Sequence, residues 1–96
     1  MFIMIGIDPH KASHTAVAID CDEHVLDEIR VRSSSTQADQ LRCWADSFED
    51  RTWAVESAQG LGYLLAQQLI AAGEVVLDVP DPIHRRLSRV RSEGSA

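Results

Sequence analysis

The sequence predicts an α/β fold: a mixed five-stranded sheet of order 3-2-1-4-5, with elements in the order β-β-β-α-β-α-β-α. Three observations predict it. Apolar, β-rich runs fill the first third of the chain with only short connections between them. The apolar spacing then lengthens to a helical period twice, and a new strand-like run follows each time. Short connections force antiparallel neighbours, whereas strand–helix–strand units make right-handed parallel crossovers. One sheet meets both demands if the first strand is innermost, the meander lies on one side of it, and the fourth and fifth strands add parallel on the other.

Each element has its own signal. Residues 2–8, FIMIGID, are apolar on both faces, as in a central strand. PHKAS at 9–13 connects to a second strand at 14–20, where Thr15, Val17 and Ile19 share one face and Ala16 and Ala18 the other. A turn, CDEH, leads to a third strand at 25–31, with Val25, Ile29 and Val31 on one face and Asp27 as the exception. Thr36 then suits a helix N-cap, and Asp39 stands where a capping-box acid belongs. Leu41, Trp44, Ala45 and Phe48 follow at helical spacing. RTWAVES at 51–57 is strand-like again. AQGLGYLLAQQLIAAG reads as a helix with Leu61, Leu64, Leu65 and Leu69 on one face and Gly73 as its C′ stop. EVVLDVP at 74–80 is a strand ended by proline, and Asp81-Pro82 supplies the N-cap and N1 of a short helix to about Arg91. Residues 1–91 thus form one domain and 92–96 a disordered tail.

Composition narrows the class. A chain of 96 residues, 45% of them apolar and in separated blocks, makes one globular domain with a modest core. MFIMIGID lacks the basic start and cleavage site of an export signal, and no apolar run is long enough to span a bilayer. The expectation is a cytoplasmic protein with no membrane partner. Cys21 and Cys43 form no C-x-x-C pair and read as free, partly buried thiols. A net charge of −6 argues against a surface that grips nucleic acid everywhere. The C-terminal Arg85, Arg86, Arg89 and Arg91 nevertheless form a local basic cluster, which suits either a nucleic-acid backbone or a solvated helix face.

The predicted topology gives two acids a common address. Asp8 ends the first strand and Glu56 ends the fourth. Parallel neighbours would bring them about 5 Å apart at the rim where ligand sites of such sheets lie. Two close carboxylates repel unless a cation lies between them, and Mg²⁺ is a hard oxygen-seeking ion that also meets phosphates. Turns favour Asp, so Asp8 by itself reads as a turn residue and only the pair suggests a metal site. Asp20 belongs to the opposite rim as a turn acid. His10 and His14 straddle a connection and do not make a helical zinc pair. Lys11 is exposed there, either solvated or near a phosphate. The glycines of QGLG, 59–62, fit close packing or a phosphate at the helix start.

The same residues carry a family resemblance. GIDPHKASHTAVAID, WAVESAQGLGYLLAQQLIAAGEVVLDVP and the Arg-rich segment resemble the N-terminal domain of the DEDD transposases, the insertion-sequence "one-ten" family related to Piv-type DNA invertases. The resemblance covers roughly residues 4–91. It implies an RNase H-like, RuvC-like fold, incomplete at its C-terminal end, with Asp8 and Glu56 as the first two catalytic, metal-binding acids. It also implies a Mg²⁺ cofactor, action in DNA transposition, and partners in DNA, full-length transposase subunits and a guide RNA from the element. Lys11, Arg85, Arg86 and Arg89 are the candidate nucleic-acid contacts. The family's later Asp-x-x-Asp and its serine-bearing domain have no counterpart in these 96 residues. The expectation is therefore a fragment that is inactive alone. Pro9 replaces the more usual aliphatic residue. Three other readings compete: a Holliday-junction-resolvase-like nuclease, a sugar-kinase lobe disfavoured by the lack of glycine after Asp8, and a non-catalytic nucleic-acid or protein-binding remnant.

Overall fold

The computed structural model describes residues 2–58 and 60–79. Five strands form one sheet: β1 (Phe2–Pro9), β2 (Ser13–Ile19), β3 (Val25–Arg32), β4 (Asp50–Glu56) and β5 (Val76–Val79). Helix α1 (Gln37–Trp44), continued by a 3-10 turn at Ala45–Ser47, joins β3 to β4, and α2 (Tyr63–Ala71) joins β4 to β5. The order is β3-β2-β1-β4-β5, as the sequence predicts. β1 pairs antiparallel with β2 and parallel with β4, and β4 pairs parallel with β5. The third predicted helix lies outside the described residues, with Arg85, Arg86 and Arg89 on it, as does the predicted tail.

The connections decide which face is covered. Both crossovers, β3 to β4 and β4 to β5, move the same way across the sheet between parallel strands. One handedness rule therefore sends both helices to the same face. The core agrees: Ile3, Ile5 and Ile7 of β1, Ala16 and Ala18 of β2, and Trp53 and Val55 of β4 pack with Leu41 of α1 and Leu65, Ala66 and Leu69 of α2. Truncating one of the fully buried leucines to alanine would cost about 2–5 kcal/mol. Met4, Gly6 and Asp8 point to the other face by alternation along β1.

Several local expectations are corrected. A register shift at Ala18/Ile19 pairs Val25 with Ile19, so Val25 leaves the face of Ile29 and Val31 and is exposed. Asp27 stays on that face because its Oδ2 accepts the Trp44 indole N–H at 3.0 Å. Thr36 occupies the N-cap position without making a side-chain cap; its Oγ1 accepts from Gln40 Nε2 instead, and no capping box forms. Leu61 precedes α2, and both Leu61 and Leu64 are exposed, so the buried stripe is Leu65, Ala66 and Leu69. Cys21 and Cys43 are free, as expected, but exposed rather than partly buried.

The stop of α2 builds an ion-pair network centred on Glu74. Gly73 has φ +91°, a conformation natural to glycine, and closes a Schellman motif: Gly73 N–H bonds to Ile70 C=O and Glu74 N–H to Leu69 C=O. That turn aims the Glu74 carboxylate at β4. There it accepts from Arg51 Nε and the terminal Arg51 nitrogen (3.0 and 2.7 Å), Arg42 Nε (3.1 Å) and Trp53 Nε1 (2.7 Å). The Arg51 hydrogen bonds, followed by those from Trp53 and Arg42, hold the Glu74 carboxyl at about 2, against an ordinary 4.5. A depressed carboxyl pKa stabilises the fold above its unfolded value and loses that effect as pH falls. Thermal melts should therefore show Glu74-dependent stability intact above pH 4.5 and vanishing towards pH 2. Glu74→Gln should lower neutral-pH stability by about 2 kcal/mol and flatten the acid limb, because the retained guanidinium groups lose their charged partner. An unchanged acid limb would show that the network carries no such linkage.

Candidate metal and nucleic-acid site

Asp8 and Glu56 come to one rim through strand register. In the β1–β4 pair the partners are Gly6↔Ala54 and Ile7↔Val55, which makes Asp8 and Glu56 the next step along the same ladder. Even-numbered residues of both strands share the face away from α1 and α2, so positions 8 and 56 are neighbours on it, about 5 Å apart at the backbone. Glu56 is 6% exposed, whereas the Asp8 side chain is 38% exposed. The pair thus combines an inner acid with a solvent-reachable one.

The chain fixes the two acids differently. Pro9, buried, follows Asp8, and the next turn closes with His10 N–H to Ser13 C=O at 2.8 Å. That turn returns His10 Nε2 to 3.3 Å from Asp8 Oδ2. Sequence reasoning weighed His10 only as a zinc partner of His14 and missed this contact. The signal was the two-residue spacing across a turn. His14 goes elsewhere. It is buried under the helices, where its Nε2 meets Gln37 Oε1 at 2.9 Å and Ser33 Oγ at 3.3 Å, and Gln37 Nε2 donates to Gln68 Oε1 at 2.7 Å. This polar chain ties β2 to both helices and keeps His14 away from the acids.

After Glu56 the backbone turns sharply. Ser57 adopts φ +53°, and its carbonyl accepts from both Gly60 N–H and Gly62 N–H. Gly62 precedes α2 directly. A Cβ there would lie 2.7 Å from Glu56 O and from Val55 Cγ1, and 3.3 Å from Pro9 Cγ. Close packing is thus the role of Gly62: it lets the start of α2 rest on the strand ends that carry both acids. Gly60 has no such constraint.

Among the described residues, a separate group at the opposite rim brings three donors within 4.8 Å: Asp20, Asp22 and His24. It is the β2–β3 turn that the sequence predicts around Asp20. Asp20 Oδ1 accepts from the backbone amides of Asp22 and His24, and Oδ2 lies 3.3 Å from His24 Nδ1. The His24 amide, more than the Asp22 amide, holds the Asp20 carboxyl below its ordinary range. The oxygens of Asp20 already close a turn. Lys11 is exposed in the loop next to Asp8. Among the described residues, no helix is long and apolar enough to cross a membrane.

Comparison with known proteins decides the family. A family model described as a transposase, of the DEDD IS110 type, matches residues 5–95. The chain belongs to the IS110-type DEDD transposases. An uncharacterized 44.8 kDa protein of insertion element IS116 from Streptomyces clavuligerus is 35% identical over 86 residues. The match covers 90% of this chain and 22% of that relative, so the chain spans about a fifth of the relative's length. Membership sets aside the resolvase and kinase-lobe readings, and the α/β sheet order is the one that the transposase resemblance implies.

The packing at Gly62 gives a test of how the rim is held. Gly62→Ala should destabilise the domain by about 1–3 kcal/mol in urea unfolding, because the contacts it meets are backbone and a buried valine. Gly60→Ala, with no neighbour closer than 3.7 Å, should cost less than 1 kcal/mol. Equal costs at the two positions would contradict the packing role.

Proposed function

We propose that this chain is the N-terminal part of a DNA transposase in which Asp8 and Glu56 begin a divalent-metal site acting on DNA. The observation that carries the reading is the register: two acidic residues from strands distant in sequence occupy neighbouring positions on the face away from α1 and α2. The donor set fits a hard cation, since both groups offer oxygen and the pair lies at a rim that solvent and substrate can reach through Asp8. A bound Mg²⁺ would activate water and neutralise charge on phosphodiester oxygens. Asp8 and Glu56 would hold it, His10 would contact the Asp8 oxygen when the ion is absent, and Lys11 would meet substrate phosphate. The Arg85, Arg86 and Arg89 cluster is a second proposed contact for the nucleic-acid backbone.

Two carboxylates are few for an ion that favours octahedral oxygen coordination, so affinity should be weak and these residues should not recombine DNA by themselves. The proposed partners are DNA, further transposase subunits and, from the resemblance, an RNA of the element, with the cytoplasm as the working compartment. Calorimetric titration with Mg²⁺ tests the site. Wild type should bind weakly, and Asp8→Ala or Glu56→Ala should each weaken binding at least about tenfold, the loss of one charged ligand. Identical isotherms for all three proteins, with melts confirming that each is folded, would sink the metal assignment.

A further inference from the structure

A shallow groove lined by Lys11, Ala12, Ser13, Arg30, Arg32 and Ser33 opens where the β1–β2 turn meets the end of β3. It is strongly basic in an acidic chain. Five of the nine Lys and Arg residues are described: Lys11, Arg30, Arg32, Arg42 and Arg51. Arg42 and Arg51 are both committed to Glu74. The other three all line the groove, all are exposed, and none has a carboxylate partner among the described residues.

Register ties the groove to the acids. Arg30 pairs with Thr15, and Thr15 pairs with Asp8. Arg30, Thr15, Asp8 and Glu56 therefore form one row across four strands on the face away from α1 and α2. Two strand spacings separate Arg30 from Asp8, about 10 Å. That matches roughly three nucleotides of axial rise along one strand of a duplex. Arg32 pairs with Ser13 one alternation further along the same face. The loop that carries Lys11 is pinned against the end of β3, with Ser33 N–H donating to Ala12 C=O at 3.0 Å and Ser33 Oγ to Lys11 C=O at 3.4 Å.

Edge strands often carry charge to discourage edge-to-edge pairing. That function needs no order of sign, yet β3 is sorted: Asp27 and Glu28 come first, and Arg30 and Arg32 stand at the end beside the acid rim. We infer that the groove of Lys11, Arg30 and Arg32 holds the phosphate backbone of the DNA strand whose continuation reaches Asp8 and Glu56. The inference builds on the proposed function of that rim and adds a second contact point for the same strand. Two fixed points, one at the acids and one at the groove, set the direction in which the strand crosses the sheet.

Fluorescence anisotropy with a short labelled single-stranded oligonucleotide, in EDTA and across a salt series, tests it. The double variant Arg30→Ala/Arg32→Ala should bind on the order of tenfold more weakly, and its log–log salt slope should fall by about 1.4, two single-strand phosphate contacts. Arg30→Lys/Arg32→Lys should keep the wild-type slope, and melts should show both variants folded. EDTA removes any metal contribution, and Mg²⁺ titration of the alanine variant should match wild type. Wild-type affinity and slope in the alanine variant would overturn the groove, as would wild type failing to bind the oligonucleotide. Weakened DNA binding together with Mg²⁺ isotherms insensitive to Asp8 and Glu56 would support the groove while removing the metal reading.

Discussion

The parallel pairing of β1 with β4 is the constraint on which the rest depends. It joins residues 2–7 to residues 50–55, so the meander cannot close into a domain until α1 has returned the chain across the sheet. The pairing is internal on both sides, with β2 flanking β1 and β5 flanking β4. It buries Ile3, Ile5 and Ile7 beside Trp53 and Val55 on one face. On the other face the same ladder sets Asp8 beside Glu56. Core and candidate site are thus two sides of one register. A slip of one residue would exchange them, putting carboxylates into the apolar layer and isoleucines onto the rim. The cost of moving two carboxylates among apolar side chains opposes that slip, and so the hydrophobic core also fixes the register of the acids.

Handedness does the remaining positioning. Because both crossovers travel the same way, α1 and α2 share a face, and Asp8 and Glu56 stand on the opposite one. The helices reach across to each other through Gln37 and Gln68 and, at the other end, through Arg42 and Glu74. Gly62 brings the start of α2 onto Pro9, Val55 and Glu56, so packing holds the rim from behind. Of the two acids, Asp8 is the one that solvent reaches, and Glu56 is buried behind it.

Much of this was legible in the sequence. Strand order followed from connection lengths and crossover handedness, and these are properties of the chain that hold whatever the side chains do. Gly73 as the stop of α2 was legible because a left-handed C′ residue has few alternatives. Glu74 was not, since its partners lie 21 to 32 positions away and meet it only after the sheet forms. Leu64 misled because helical spacing does not say how wide the buried stripe is, and α2 has only nine residues on which to show it. Leu61 misled for another reason: the left-handed Ser57 and the two bonds to its carbonyl delay the helix start to Tyr63. Val25 was lost to a register shift, which a period-two pattern cannot express.

The basic groove escaped sequence reasoning for a related reason. Arg30 and Arg32 alternate with Ile29 and Val31, so along the chain they read as the solvated side of an edge strand. Lys11 is some 20 positions earlier in a turn, and nothing local connects it to them. Only the antiparallel register of β2 with β3 folds the three cations together, and only the β1–β2 register lines them up with Asp8. The two halves of the candidate site obey the same logic. Each joins residues that look like turn or surface punctuation in one dimension. Each becomes a cluster of like charge through strand pairing that the apolar residues enforce. The three cations of the groove repel one another, and the core supplies the free energy that keeps them together. Strand pairing sets the proposed metal ligands and the proposed phosphate contacts about 10 Å apart on one face. A polyanionic strand with a bound divalent cation would serve both proposed roles at once.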